Sequence, residues 1–299
     1  MSWTIFPILI PRRMRELLKT KDKVPKRIDR RSPLQKLAAM PHIVWMIIFI
    51  VAPMIFVVYF AFTDENGFSL SNITGLSQYS NVFILSIAFA LIATVVCLII
   101  GYPLAYFMAK SGPKARTVLL VLLMLPMWCN LLIRTYALMA LLDNGGLLNS
   151  LLEKMGMDKL YIIGSDFGVI LGMIYDFLPY MVLPIFTAIT KIDKRYTEAA
   201  SDLGCNAFQV ITKVIFPLSL SGVISGITMV FVPSISTFYI SQKLGAGKID
   251  LIGDTIERLF QTPSTYNVGA AISLVMMILI LISVGIMNKF SDDEGGIII

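Results

Sequence analysis

The feature that most constrains the fold of this chain is a series of long apolar segments separated by short polar stretches. A helix that crosses a bilayer needs about 20 mostly apolar residues. Six segments reach that length: Ile43–Phe62, Val82–Ala109, Thr117–Leu142, Phe167–Thr190, Val214–Ile240 and Asn267–Asn288. The chain is 57% hydrophobic and 15% charged, against roughly 45–50% and about 25% in soluble domains. We therefore expect an all-α polytopic membrane protein with six transmembrane helices.

The distribution of basic residues predicts how these helices are oriented. Of the 25 Lys and Arg residues, 19 lie in the N-terminal segment, the second and fourth loops and the tail, and only five lie in the other three loops. Cytoplasmic loops carry the excess of basic residues, so both termini and the fourth loop are predicted to be cytoplasmic. The expected organisation is a basic cytoplasmic N-terminal segment over residues 1–42, a six-helix transmembrane domain over 43–290 and a cytoplasmic tail over 291–299. Net charge +6 is thereby explained by topology and lipid contact, with no nucleic acid as partner.

Other features of the sequence limit the chemistry. Cys97 and Cys129 lie in apolar segments and Cys205 in a polar helix, which argues against a disulfide framework. With His42 as the single histidine, we predict no metal site and no catalytic residue. Two loops on the predicted outer side, residues 145–156 and 250–261, have apolar residues at helical spacing and are expected to form short helices.

A polar helix precedes the fifth apolar segment and carries the most specific motif. It reads Glu-Ala-Ala, three residues, Gly204, nine residues, and then Val-Ile-Phe-Pro ending at Pro217. Glu198 and Asp202 are four residues apart and share a helix face. Gly204 permits a sharp turn between two short helices, and Leu203, with Ala207 and Phe208, offers an apolar face. Such a helix suits contact with a partner protein on the cytoplasmic side.

This spacing resembles the EAA loop of permease subunits of ATP-binding-cassette (ABC) importers, with Val214 in place of Ile and Phe216 in place of Leu. The resemblance implies a type I importer permease fold (MetI-like) with a coupling loop at about 191–213. It further implies that the coupling helix is seated in a groove of an ATP-hydrolysing subunit. The coupling residues that it implies are Glu198, Ala199, Ala200, Asp202, Leu203 and Gly204.

The resemblance extends over about residues 78 to 288. The blocks "LPMWCNLLIRTYALMALLDNGGLLN", "YDFLPYMVLPIFTAITKIDKRYTEAASDLG" and "FVPSISTFYISQKLGAGKIDLIGDTIERLF" are similar to permeases of spermidine/putrescine importers. This implies polyamine import into a bacterial cell across its inner membrane. The implied partners are a cytoplasmic ABC ATPase in two copies, a second related permease and an external polyamine-binding protein. The chain has no G-x-x-x-x-G-K-[ST] phosphate loop, so we expect a non-enzymatic subunit with no cofactor, the ATP being bound by its partner.

Charged residues inside a membrane span usually contact a cavity or a partner, and Arg134 and Asp176 are the two that lie well inside the segments. A polyamine would require a carboxylate for its ammonium ends and aromatic rings for its stem and charges. Asp176 with Tyr175, Tyr180, Trp128 and Tyr136 is therefore the candidate pathway lining. The alternative is a buried Arg134–Asp176 pair that fixes the third span to the fourth.

Other functions remain open at this stage. An ABC permease for another small solute, such as an anion or iron, could use Arg134 in its pathway. An ion-coupled secondary transporter would work without an EAA loop. A membrane enzyme has no support, because no metal set or nucleophile with a base is visible in the sequence.

Overall fold

A computed structural model describes residues 33–64 and 67–295. The predicted basic segment over residues 1–42 therefore lies mostly outside the described residues, as do the last four residues of the predicted tail. The described residues divide into two compact units, one up to Ile55 and one from Phe56.

The first unit contains helix α1 (Pro33–Met46), a π-helical turn (Ile47–Val51) and the start of α2 (Ala52–Ala61). Trp45 and Phe49 pack ring to ring, with centroids 5.6 Å apart. The candidate span Met40–Ala61 has no buried residue in its most apolar window. Its side chains are thus available to lipid, as expected of a membrane helix.

The second unit continues with a two-residue hairpin, β1 (Thr63–Asp64) and β2 (Gly67–Phe68), in which Thr63 pairs with Phe68 and Asp64 with Gly67. The expected all-α class is confirmed, since the described residues are otherwise almost entirely helical and this hairpin has only two residues in each strand. The helices that follow are α3 (Ser71–Thr74), a 3₁₀ turn (Gly75–Tyr79), α4 (Ser80–Lys110), α5 (Pro113–Trp128), α6 (Leu131–Leu142), α7 (Leu147–Lys154) and α8 (Asp166–Lys191).

The chain then enters α9 (Lys194–Asp202) and α10 (Ala207–Val210), followed by a π-helical turn (Ile211–Ile215), α11 (Phe216–Leu218), α12 (Leu220–Ser236), α13 (Tyr239–Leu244), α14 (Ile252–Gln261), a 3₁₀ turn (Pro263–Thr265) and α15 (Tyr266–Gly295). Helices α7 and α14 confirm the two short helices predicted between spans. Five helices of the described residues are long and apolar enough to cross a membrane, and a bent pair makes a possible sixth.

The segment predicted as one third span, Thr117–Leu142, is divided between α5 and α6, so that prediction is wrong. Helix α5 contains Pro126, which lacks the N–H needed for the helical ladder. Asn130 then begins α6 as its N-cap, accepting a hydrogen bond from the Leu132 N–H at 2.9 Å. Hydropathy alone indicated one continuous helix, whereas the polar N-cap inside the apolar segment begins a second one.

The fifth predicted span, Val214–Ile240, is also not straight. Its two parts, Ala207–Leu218 and Leu220–Ser236, meet at an angle of 70°. Pro217 removes a backbone donor here, and a π-helical turn precedes it, two recognised causes of kinks. The Ser219 hydroxyl lies 3.1 Å from the Tyr102 hydroxyl, which ties the bend to α4.

The main hydrophobic core lies where α4, α8 and α12 pack on one another. Close packing depends on glycines at two positions of α12. A Cβ on Gly222 would meet Ala188 Cβ at 2.5 Å and the Pro184 carbonyl oxygen at 2.8 Å, and one on Gly226 would meet Met181 Sδ at 2.8 Å. These contacts make the four-residue spacing of Gly222 and Gly226 a site of close helix packing.

Candidate coupling loop and transport pathway

The EAA motif folds into two short helices joined at a glycine. Asp193 begins α9 as its N-cap, accepting a hydrogen bond from the Arg195 N–H at 3.0 Å. Gly204 has φ +85°, a left-handed conformation that side-chain-bearing residues rarely adopt. Asn206 begins α10 with a capping box, in which its side chain and that of Gln209 each accept the other's backbone N–H. The predicted turn at Gly204 is confirmed.

The loop exposes most of the predicted coupling residues. Glu198, Ala199, Asp202 and Gly204 are exposed, and Leu203 is 86% exposed. Phe208, in α10, is 73% exposed. An exposed leucine and phenylalanine beside two carboxylates form a surface suited to an apolar and basic groove of a partner.

Ala200 differs from the other coupling residues, because it is buried and belongs to the main core cluster. Its small side chain allows α9 to lie close against its own chain. Ala199 is the alanine of the motif that remains available for contact with a partner.

Asp176 and Arg134 form a buried ion pair between α8 and α6. Arg134 Nε lies 3.4 Å from Asp176 Oδ1, and the two side chains are 7% and 0% exposed. Thr135, next to Arg134 on α6, donates its hydroxyl to Asp176 Oδ2 at 3.2 Å. Helix α6 therefore contacts both oxygens of Asp176, Oδ2 by a hydrogen bond and Oδ1 by an ion-pair contact that does not meet hydrogen-bond geometry.

The aromatic candidates do not gather around this pair in a single lining. Trp128 is 75% exposed at the end of α5, and Tyr175 is 42% exposed. Tyr180 lines a cleft of about 620 Å³ between α8 and α12. The structure thus brings together Arg134 and Asp176 and places these three aromatic residues at separate positions.

Tyr136 belongs to a group that sequence reasoning missed. Its ring packs on that of Tyr239 with centroids 5.9 Å apart. Lys243 Nζ lies 5.2 Å from the Tyr136 centroid and 5.6 Å from the Tyr239 centroid, within the range of a cation–π contact. Tyr239 and Lys243 are four residues apart on α13, a spacing that could have indicated the pair but not its contact with α6.

The cleft beside Tyr180 is lined by hydroxyl groups on exposed positions of two spans. Thr187 lies on α8, and Ser221 and Ser225 lie on α12. Lys191 lies at the end of α8 on the same cleft. Polar and charged residues at the surface of a span usually contact protein or a water-filled cavity, so this side of the bundle is suited to a pathway.

The bundle of spans and the exposed loop between α8 and α12 define the class of a polytopic membrane protein that presents a polar loop outside its spans. Residues 101–293 match the family described as "Binding-protein-dependent transport system inner membrane component", and the chain belongs to this family. It is accordingly a non-catalytic inner-membrane permease subunit of an ABC importer, a system in which a separate ATPase hydrolyses ATP and a binding protein takes part.

Relatives are similar over most of their length. The spermidine/putrescine transport system permease protein PotB of Haemophilus influenzae is 36% identical over 259 residues, which cover 83% of this chain and 91% of that protein. PotB of Escherichia coli K12 is 37% identical over 245 residues, which cover 78% of this chain and 89% of that protein. A PotB homolog of Mycoplasma genitalium is 29% identical over 224 residues, which cover 73% of this chain and 77% of that protein.

Solved structures support the fold. A bacterial ABC transporter involved in import of the acidic polysaccharide alginate has a chain that superposes with a TM-score of 0.71 at 21% identity, covering 87% of this chain and 95% of its own. A chain of the methionine ABC transporter MetNI superposes with a TM-score of 0.55 at 14% identity, and the match covers 72% of this chain and 94% of that chain. The importer permease fold is thereby confirmed.

Proposed function

We propose that this permease imports polyamines, spermidine and putrescine, from an external binding protein into the cytoplasm. The observation that carries the proposal is the 36% identity to a PotB permease over 83% of this chain. An alignment of that length must include the coupling loop and the helices that border the cleft, so it covers the parts that would contact substrate as well as the scaffold.

The partners follow from the same proposal. Two copies of a cytoplasmic ABC ATPase would bind ATP, and this chain would need no cofactor of its own. The exposed surface formed by Glu198, Ala199, Asp202, Leu203 and Gly204 would dock one ATPase copy, with Ala200 supporting it from inside. A second, PotC-like permease would supply the other coupling helix and the other half of the pathway.

For the pathway we propose a division of roles. Asp176 and Arg134 fasten α8 to α6, since each is buried and paired with the other. Tyr180 lines the cleft and is the aromatic group placed to contact a passing ammonium. Tyr136 already makes a cation–π contact with Lys243. Tyr175 and Trp128 present exposed rings that suit lipid or the partner permease.

Paired Arg134 also weakens the main argument for an anion as substrate. A guanidinium whose charge is balanced by Asp176 is not available to a solute in the pathway.

The test is transport by the reconstituted importer. Proteoliposomes that contain this chain, the second permease and the ATPase, with the binding protein outside, should accumulate labelled spermidine and putrescine only when ATP is enclosed with the ATPase. Unlabelled spermidine should compete, and an anion such as citrate should not. Uptake of an anion without uptake of either polyamine would refute the assignment.

A further inference from the structure

A basic pocket lies between the turn from α4 to α5 and the first turn of the coupling helix α9. Lys110 ends α4, Arg116 lies in the first turn of α5 and Lys194 begins α9, and all three side chains line the pocket. The other lining residues of the described chain are alanine, isoleucine and threonine, without a carboxylate. Since the cavity has a volume of about 80 Å³, the basic pocket gathers positive charge around a small space.

Arg116 is held in place by the chain and still has one nitrogen to offer. Its Nη2 donates to the carbonyl oxygen of Ala109, in the last turn of α4. The guanidinium carbon lies 6.0 Å from the centroid of the Phe186 ring on α8, at the limit of a cation–π contact. Nε is enclosed by protein, whereas Nη1 is not enclosed and donates to no residue of the described ranges. Nη1 can therefore donate to a ligand from a side chain whose position is already fixed.

The three positive charges of the basic pocket have no counter-charge within residues 33–64 and 67–295. None of Lys110, Arg116 and Lys194 forms an ion pair there. The acidic neighbour of Lys194 along the chain, Asp193, caps α9 and lies 4.0 Å from Arg195. Because like charges around one cavity repel each other, an anion bound between them would be stabilised.

The basic pocket lies where the spans end. Helices α4 and α8 both end beside it, and its basic residues come from the second and fourth loops, which are predicted to be cytoplasmic. The cytoplasmic leaflet carries anionic lipids, and basic pockets between spans on that side bind lipid headgroups. This position favours a lipid headgroup as the anion.

An apolar surface continues from the basic pocket along α5. Val118 and Leu122 are four residues apart on this helix and both are exposed, as is Phe107 in the last turn of α4. A free inorganic phosphate would use the pocket alone, whereas a phospholipid would use the pocket and this surface together. The cavity of about 80 Å³ exceeds the roughly 30 Å³ that one water occupies in the liquid, so it has room for a phosphate group.

We propose that the basic pocket binds the phosphate group of an anionic phospholipid of the cytoplasmic leaflet. Arg116 donates to a phosphate oxygen from Nη1, and Lys110 and Lys194 supply two further ammonium groups. The acyl chains lie along Val118 and Leu122. Since Lys194 belongs to α9 and the other two basic residues to the turn between α4 and α5, the bound lipid would fasten the coupling helix to the spans. This role is independent of the solute that the importer carries.

The test measures lipid binding to the complete importer, stripped of lipid in detergent and titrated with short-chain phosphatidylglycerol. Native mass spectrometry counts the bound lipids at each concentration. Lys110→Gln and Lys194→Gln each remove one charge from an exposed side chain, and thermal unfolding should show that the fold is kept. Lys114→Gln is the matched control, because Lys114 is an exposed lysine of the first turn of α5 that does not line the pocket.

Each lysine variant of the pocket should bind phosphatidylglycerol about fivefold more weakly than wild type, as expected for one basic residue near an anionic lipid. The double variant Lys110→Gln with Lys194→Gln should bind it about 25-fold more weakly, if the two charges act independently. Lys114→Gln should bind as wild type does.

Wild-type affinity in the double variant, or an equal loss in Lys114→Gln, would overturn the proposal. So would equally tight binding of short-chain phosphatidylcholine, whose headgroup has no net charge. Displacement of phosphatidylglycerol by inorganic phosphate at the same concentration would assign the pocket to the free ion and reject the lipid.

Discussion

At the scale of single residues, the pair Arg134–Asp176 has the clearest energetic consequence. Asp176→Asn leaves a buried guanidinium without its counter-charge, and breaking a buried pair costs about 3–5 kcal/mol. We expect this variant to lower the thermal stability of the purified permease and its assembly. The double variant Arg134→Gln with Asp176→Asn should recover most of the loss, because neither charge remains buried alone.

The measurement compares wild type, the two single variants and the double variant by thermal unfolding in detergent and by polyamine uptake. Restored stability and restored uptake in the double variant support the structural role of the pair. Restored stability with uptake still abolished would show instead that Asp176 acts on the solute.

Gly204 allows a test of the coupling loop in which a new side chain changes backbone strain without causing a steric clash. A Cβ at this position would meet nothing within 4 Å, and φ is +85°. Gly204→Val should therefore disturb the turn through backbone strain, about 1–2 kcal/mol for a left-handed residue, and separate ATP hydrolysis from uptake. Gly204→Asn is the matched control, since asparagine tolerates this conformation.

Uptake and ATPase activity of both variants should be compared at equal membrane expression. Equal uptake by Gly204→Val and wild type would contradict a coupling role for this turn.

Much of the residue-level chemistry could be predicted from local pattern, but some could not. Gly204 and the Arg134–Asp176 pair follow from spacing and from the cost of charge in a bilayer. The position of Lys243 depends on a tertiary contact, because it lies over the ring of Tyr136 from α6. No local pattern distinguishes this lysine from an ordinary loop charge.

At the scale of elements, the contact of α12 with α8 is the most sensitive to volume. Gly222→Ala would place a methyl 2.5 Å from Ala188 Cβ and 2.8 Å from a backbone oxygen, so the helices must separate. Overpacking of this kind costs typically 1–3 kcal/mol. We expect lower stability and reduced uptake.

Gly285→Ala in α15 is the control for this change, because a Cβ there would meet nothing within 4 Å. The same thermal unfolding measurement should find it close to wild type or slightly more stable, since alanine favours helix. Equal behaviour of the two alanine variants would contradict the close approach at Gly222.

Elements were predicted well where apolar length decides the structure, and poorly where a single polar or proline residue does. The fourth span and both short helices between spans have nearly the predicted bounds. The third span is interrupted at Asn130 and the fifth bends near Pro217. A hydropathy average hides single residues of this kind, a side chain that caps a new helix and a proline that lacks a backbone donor.

At the scale of the whole molecule, the single EAA loop of this chain leads to a prediction about the assembly. ABC importers use two ATPase domains, and this chain presents one EAA loop. We expect the active assembly to contain one copy of this chain, one related permease and two ATPase copies. Native mass spectrometry of the importer, purified through a tag on this chain, measures the composition directly, and an active assembly with two copies of this chain and no other permease would contradict it.

The attachment of the coupling loop has a mechanical consequence. Helix α8 leads into α9 through Ile192 and Asp193, and α10 leads back through the bend at Ser219 into α12. Since Gly222 packs directly against Pro184, Ile185 and Ala188 of α8, the two spans that bear the ends of the loop touch each other just beyond it. A displacement imposed on the loop would therefore reach both spans together, and with them the two walls of the cleft that Tyr180 and Ser225 line.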